Sequence, residues 1–193
     1  MALTRIVGDI HGKYRGYWNI VKDCERSIQV GDFGLGFGGQ DPEYPPQHRF
    51  IRGNHDNPAV CRVHPNFIPD GTVDNEVMFI GGAWSIDYAF RTEGKDWWKD
   101  EELSLNELNI LIDKAIMYRP KIMITHDCPQ SIAVPLFNAF PMKTRTQQAL
   151  QSILEAIRPE TWIFGHWHKD ISMEISGTRF ICLNELSHID MDI

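Results

Sequence analysis

The sequence predicts an α/β fold. Short β-rich apolar runs alternate with segments of helical spacing, which marks that class. The apolar runs also stop repeatedly at a glycine beside Asp, Asn or His. With 193 residues the chain can bury a substantial core, and a single domain over residues 1–193 is expected.

The elements follow in order. Leu3, Thr4, Arg5, Ile6 and Val7 form a predicted strand that stops at Gly8. Tyr14, Tyr17, Trp18, Ile20 and Val21 recur at helical spacing and predict a helix over 14–25. A second strand covers 27–30 and ends in Gly-Asp. A loop rich in Gly and Pro follows over 34–46, then a third strand over 49–52 that ends at Gly53. A fourth strand, 77–80, closes at Gly81-Gly82, and the polar, aromatic stretch 84–102 is expected to run irregularly over the surface. Ser104, with Glu107 three residues on, is a capping box for a helix over 105–118 that Pro120 ends. A fifth strand over 121–124 leads into Thr125-His126-Asp127, a helix spans 146–157, and a sixth strand over 161–164 ends at Gly165. Strands over 171–175 and 179–183 are expected to pair as a hairpin across Ser176-Gly177.

Composition narrows the function. Hydrophobic residues at 42% and charged residues at 23% are an ordinary globular balance. A net charge of -7 argues against a general nucleic-acid binder, whose affinity rests on phosphate contacts from a basic face. Carboxylates that bind metal also count as negative until cations arrive. Cys24, Cys61, Cys128 and Cys182 form no CxxC pair, so they are expected to be free thiols in a reducing compartment. No apolar run approaches the ~20 residues of a membrane helix. The first strand starts too early to leave room for a leader. A soluble, cytoplasmic protein with no membrane partner is expected.

Five segments carry the chemistry: Gly8-Asp9-Ile10-His11-Gly12, Gly31-Asp32, Gly53-Asn54-His55-Asp56, Thr125-His126-Asp127 and Gly165-His166-Trp167-His168. Each follows an apolar strand, and in open α/β sheets sites lie at the carboxyl ends of strands. Five of the eight histidines fall in these segments, so chance turns are a poor account of them. In an extended segment residues two apart point the same way. Asp9 and His11 can then grip one ion together, and His166 and His168 can too unless a loop splits them between two. The glycines are expected to allow tight turns and the approach of a phosphate.

Asp9, His11, Asp32, Asn54, His126, His166 and His168 make seven candidate ligands, more than one transition metal takes. They fit two ions that share a carboxylate at about 3.5–4 Å. The O and N donors suit Mn, Fe, Zn, Co or Ni. Manganese is the metal expected.

These segments, in this order from Asp9 to His168, resemble the calcineurin-like metallophosphoesterase superfamily. Gly81-Gly82-Ala83-Trp84-Ser85-Ile86-Asp87 resembles a segment of its bacterial and phage members. The resemblance implies a four-layer α/β/β/α sandwich, two mixed sheets flanked by helices. It implies that Asp9, His11, Asp32 and His168 hold the first metal, and Asp32, Asn54, His126 and His166 the second. His55 is implied as the acid near the leaving group, with Asp56 orienting it. One departure is plain: Gly31-Asp32-Phe33-Gly34-Leu35-Gly36 lacks the arginine that clamps phosphate in the phosphoprotein phosphatases of the superfamily.

The expected activity is hydrolysis of a phosphate ester by in-line attack of a hydroxide that bridges two divalent metals. The alternatives are a nuclease of the same superfamily and a non-catalytic binding module on the fold. A small phosphorylated molecule or a phosphoprotein is the expected partner. Arg91, Trp84, Trp97 and Trp98 are candidates to meet a base or a peptide side chain, and Lys143 and Arg145 to hold phosphate. His48, His64 and His188 match no motif and are expected to be structural.

Overall fold

A computed structural model describes residues 3–37, 41–137 and 144–193. Lys143 lies outside the described residues. Among the described residues, ten strands form two sheets. In the first, β10 (His188–Asp192), β1 (Leu3–Val7), β2 (Ser27–Gln29) and β3 (His48–Phe50) lie side by side in that order. Strands β1, β2 and β3 run parallel, and β10 is antiparallel to β1. The second sheet has the order β4 (Val73–Asp74), β5 (Val77–Ile80), β6 (Ile122–Thr125), β7 (Thr161–Phe164), β9 (Thr178–Cys182) and β8 (Ile171–Ile175). Its four inner strands are parallel, with antiparallel β4 and β8 at the edges.

Alternation along the strands sets the layers. On β5, Val77 and Phe79 join Ile6, Ile28, Ile124 and Ile163 in an apolar layer between the sheets. Met78 and Ile80 face the other way, against Leu108 and Leu111 of α3 (Leu105–Tyr118), Ile132 of α4 (Gln130–Phe137) and Leu150 of α5 (Arg145–Ile157). Outside the first sheet, Val7 and Phe50 pack on Tyr17 and Val21 of α1 (Tyr14–Val21) and Cys61 of α2 (Pro58–Val63). The order is therefore α/β/β/α, the expected sandwich.

Local sequence explains the helix ends. Ser104 Oγ accepts from the Glu107 N–H while the Glu107 carboxylate accepts from Ser104 N–H, the reciprocal box read from sequence. Arg119 then turns into left-handed backbone before Pro120. Asn57 caps α2 and Pro58 fills its first turn, where a missing N–H costs nothing.

Four elements escape the sequence reading: α2, α4, β4 and β10. Helix α1 is shorter than expected and ends at Val21, where Cys24 N–H folds back onto the Val21 carbonyl at 3.1 Å. The stretch 84–102 is irregular, with one 3-10 turn at Tyr88–Phe90, but it is not all surface: Ser85, Trp98, Glu101 and Glu102 are buried. All four cysteines are free, and Cys61, Cys128 and Cys182 are buried. Among the described residues, no helix is long and apolar enough to cross a membrane.

Candidate metal centre

Every expected ligand lies just past the carboxyl end of a parallel strand. Asp9 and His11 follow β1, Asp32 follows β2 and Asn54 follows β3. From the second sheet, His126 follows β6, and His166 and His168 follow β7. The loops of the two sheets meet and gather the side chains into two groups. Asp9, His11, Asp32 and His168 offer ligand atoms that all lie within 4.8 Å of one another, as do Asp32, His126 and His166. Asn54 joins the second group, with Oδ1 3.0 Å from His126 Nε2. Asp32 belongs to both.

The backbone reaches this arrangement through unusual conformations. His11, Asp32, His166 and His168 all have positive φ, between 45° and 65°, where non-glycine residues are uncommon. Such clusters belong to sites whose surroundings hold them there. The simple alternation expected for Asp9 and His11 therefore does not apply: a turn aims His11. His166 and His168 are split between the two groups. Gly53 and Gly165 leave the space that two of the candidate ligands occupy. A Cβ on Gly53 would fall 2.0 Å from Asp32 Oδ1, and one on Gly165 2.1 Å from Asp9 Oδ1.

The polar atoms that converge here are carboxylate and amide oxygens and imidazole nitrogens. His126 Nδ1–H donates to the Val30 carbonyl at 2.9 Å, which turns Nε2 toward Asp32 Oδ1 at 3.2 Å and Asn54 Oδ1 at 3.0 Å, where it carries a proton or, in its place, faces a cation. His168 Nε2 is 2.9 Å from His11 Nε2 and 3.0 Å from Asp9 Oδ2. Lone pairs packed this closely call for positive charge between them. Burial works against a charged His126, yet the neighbouring Asp32 carboxylate outweighs it and pushes the imidazole up to about 10. The hydrogen bond to Asp9 likewise raises His168. Burial opposes an ionised Asp32, but His126 beside it holds the carboxyl far below the usual range. A largely buried set of O and N atoms that gathers positive charge in this way fits divalent metal ions.

Around these groups the remaining candidates divide. Asp56 is fully buried, and its carboxylate accepts from the backbone N–H groups of Phe33, Gly34, Leu35 and Gly53. It knits the Asp32 loop to the Asn54 loop, so the expectation that it orients the His55 ring is not met. Arg91 has that place. Its guanidinium lies 3.1 Å from His55 Nδ1 and 2.9 Å from Nε2, and it pairs with Asp87 at 2.8 Å. Burial pushes His55 down to about 4; Asp32 opposes this and Arg91 adds to it.

His55 and Arg91 line a cavity of about 460 Å³ whose floor is Asp32, Asn54 and His166 and whose wall includes Trp84. Trp98 is instead buried against Phe37. Arg145 pairs with Glu102 at 3.5 Å. His48 bonds Ser27 Oγ and His64 meets the Pro42 carbonyl, structural contacts as expected. Sequence reasoning missed Ser85 and Glu101, which connect to Asn54 from behind. The Gly81–Asp87 resemblance was the signal that could have drawn attention to Ser85.

A carboxylate common to two groups of nitrogen and oxygen ligands, set at the strand ends of an α/β/β/α sandwich, defines the class of metal-dependent phosphoesterases. The family profile described as calcineurin-like phosphoesterase matches residues 4–170, and the chain belongs to that family. Among curated proteins, none matches the sequence.

Two solved structures, at TM-scores of 0.53 and 0.50, share the fold. One is a Staphylococcus aureus protein provisionally described as a 5′-nucleotidase, in complex with alpha-ketoglutarate, at 12% identity and TM-score 0.53. It covers 95% of this chain and 48% of its own, so the present chain spans about half the length of that relative. The anchor in the inner membrane complex of Plasmodium matches at 12% identity and TM-score 0.50, over 95% of this chain and 72% of its own. A conserved Streptococcus pneumoniae protein described as a predicted phosphoesterase matches at 15% identity and TM-score 0.46, over 100% and 85% of the two chains.

Proposed function

We propose that this chain hydrolyses the phosphate ester of a small molecule or a phosphoprotein at a dinuclear centre, with manganese as the metal. The observation that carries this reading is Asp32, one buried carboxylate common to both ligand groups. Asp9, His11, Asp32 and His168 would hold one cation; Asp32, Asn54, His126 and His166 would hold the other. When bound, the pair supplies an activated water and neutralises charge on the phosphoryl oxygens.

The chain's own residues do the rest. Arg91 offers beside His55 the guanidinium that the Gly31-to-Gly36 stretch lacks. It binds a phosphoryl oxygen and sets the ester against the ligand groups. His55 protonates the leaving oxygen. Burial and Arg91 keep its ring neutral in the empty site; the negative charge of an incoming phosphate lets the ring take up a proton from solvent, and that proton passes to the leaving oxygen.

The test is metal content by elemental analysis together with turnover of nitrophenyl and alkyl phosphates. Two Mn²⁺ per chain and metal-dependent turnover are expected. His55→Ala is expected to retain both ions and to lose about 10²–10⁴-fold on the alkyl ester, the poorer leaving group. A chain that takes up no divalent cation overturns the proposal, and an unchanged alkyl-ester rate in His55→Ala overturns the acid role.

A further inference from the structure

An amide ligand has a polarity problem that a carboxylate does not. A divalent cation accepts the oxygen of Asn54 and is repelled by its NH₂, yet the two ends are nearly equal in shape. The structure contains a device that decides between them. Asn54 Nδ2 donates to Ser85 Oγ at 3.1 Å. Ser85 Oγ–H donates in turn to Glu101 Oε2 at 2.6 Å, and Ser85 N–H donates to Glu101 Oε1 at 2.8 Å. Ser85, Glu101 and Asn54 are all buried, each no more than 2% exposed.

The direction of this chain follows from counting hydrogens. An ionised carboxylate has none, so it accepts from Ser85. The single hydroxyl hydrogen of Ser85 is then used on Glu101, and Oγ faces Asn54 as an acceptor. Asn54 must turn its NH₂ toward Ser85, which leaves Oδ1 facing His126 Nε2 at 3.0 Å. Glu101 is itself fixed by the next layer out. Buried Arg52 donates from Nη1 to the Glu101 carbonyl at 2.8 Å and pairs with Asp70 at 2.9 Å.

We propose that Glu101 is a positioning residue that acts through Ser85 to set the polarity of the Asn54 amide, so that its oxygen faces the second cation. This rests on Asn54 being a metal ligand, and the experiment separates the two ideas.

Metal-free chain is titrated with Mn²⁺ by calorimetry, and bound ions are counted by electron paramagnetic resonance. Glu101→Gln keeps the size and both bonds to Ser85, but its NH₂ now donates to Oγ. The hydroxyl hydrogen is freed toward Asn54 and favours the reversed amide. One of the two Mn²⁺ affinities is expected to fall about 10–100-fold, the size usual for loss of an outer partner of a metal ligand, while the other stays put. Ser85→Ala, which frees the amide without reversing it, is expected to give a smaller fall at the same ion.

The sharpest readout is a reversal of sign. Asn54→Asp sets a carboxylate against an acceptor oxygen, and Glu101→Gln relieves that conflict. The same Glu101→Gln change is therefore expected to weaken the second ion with Asn54 in place and to strengthen it with Asp in place, a coupling that a merely structural role does not produce. Wild-type affinities in Glu101→Gln, or equal effects in both backgrounds, overturn the positioning role while the metal assignment stands. A wild-type chain that binds fewer than two Mn²⁺ overturns both, and shows it before any variant is made.

Discussion

The two ligand groups draw on the same residue types and live in opposite surroundings. In the first, the His168 side chain is 48% exposed and that of His11 22%. In the second, His126 is wholly buried and Asn54 nearly so. The open group is held by contacts among its own members, His168 to His11 and to Asp9. The closed group is held from behind, by the Val30 carbonyl on His126 and by Ser85 on Asn54. The contrast teaches that the outermost ligands, His11 and His168, lean on one another and on Asp9, while His126 and Asn54 are braced by groups behind the centre.

Perturbations should break this contrast in order of size. Asp32→Ala removes the shared member and is expected to abolish uptake of both cations and reduce turnover to background, measured by elemental analysis and a nitrophenyl phosphate assay. His126→Ala leaves the buried Asp32 carboxylate without its closest cationic partner, and the metal-free chain is expected to lose about 3–5 kcal/mol in denaturant unfolding. His168→Ala, on the open side, is expected to cost about 0–1 kcal/mol there, while weakening only one ion in a Mn²⁺ titration. Equal costs for the two histidines would erase the distinction between the halves.

Gly53→Ala presses on Asp32 and so on both groups. About 1–3 kcal/mol of overpacking is expected, at about 2–4 °C of melting temperature per kcal/mol, with both ions weakened together. The smallest effect is remote from the centre. Arg5 holds the Asp190 carboxyl below its usual range through a two-pronged hydrogen bond, joining β1 to β10. A lowered carboxyl adds stability above its unfolded value, about 3.9, and loses it as pH falls through the folded one. Asp190→Asn is therefore expected to cost about 0.2–1 kcal/mol at neutral pH, discounted for exposure, and the gap from wild type to close in acid melts. Metal uptake should not change.

Much of this was legible in the sequence because strands and ligands share one signal. An apolar run that stops at Gly-Asp, as at Val30-Gly31-Asp32, gives both the strand and the loop that carries its ligand. What escaped did so for physical reasons. Pro135 inside α4 and Pro58 at the start of α2 disguised two helices, although proline in a first turn favours one. Strand β10 alternates polar residues outward with Ile189 and Met191 packed inward, a pattern its aspartates obscured. Polarity misplaced 84–102 because a carboxylate can be buried when it is satisfied: Glu101 by Ser85, and Glu102 by the Thr146 N–H. The left-handed turns at His11, Asp32, His166 and His168 are set by tertiary contacts, so no local pattern announced them.

Each ligand group draws on loops from both sheets: Asp9, His11 and Asp32 with His168, and Asp32 and Asn54 with His126 and His166. A cation held by either is thus a rivet through the sandwich, and its binding energy adds cohesion between layers otherwise joined by their apolar filling and by hydrogen bonds such as His126 to the Val30 carbonyl. The rivets sit at one mouth. At the opposite mouth, where Ser27, Val77 and Ile193 border a hollow of about 260 Å³, nothing comparable fastens the layers among the described residues. Breathing of the loaded protein should therefore start at that far rim and spread toward the metals.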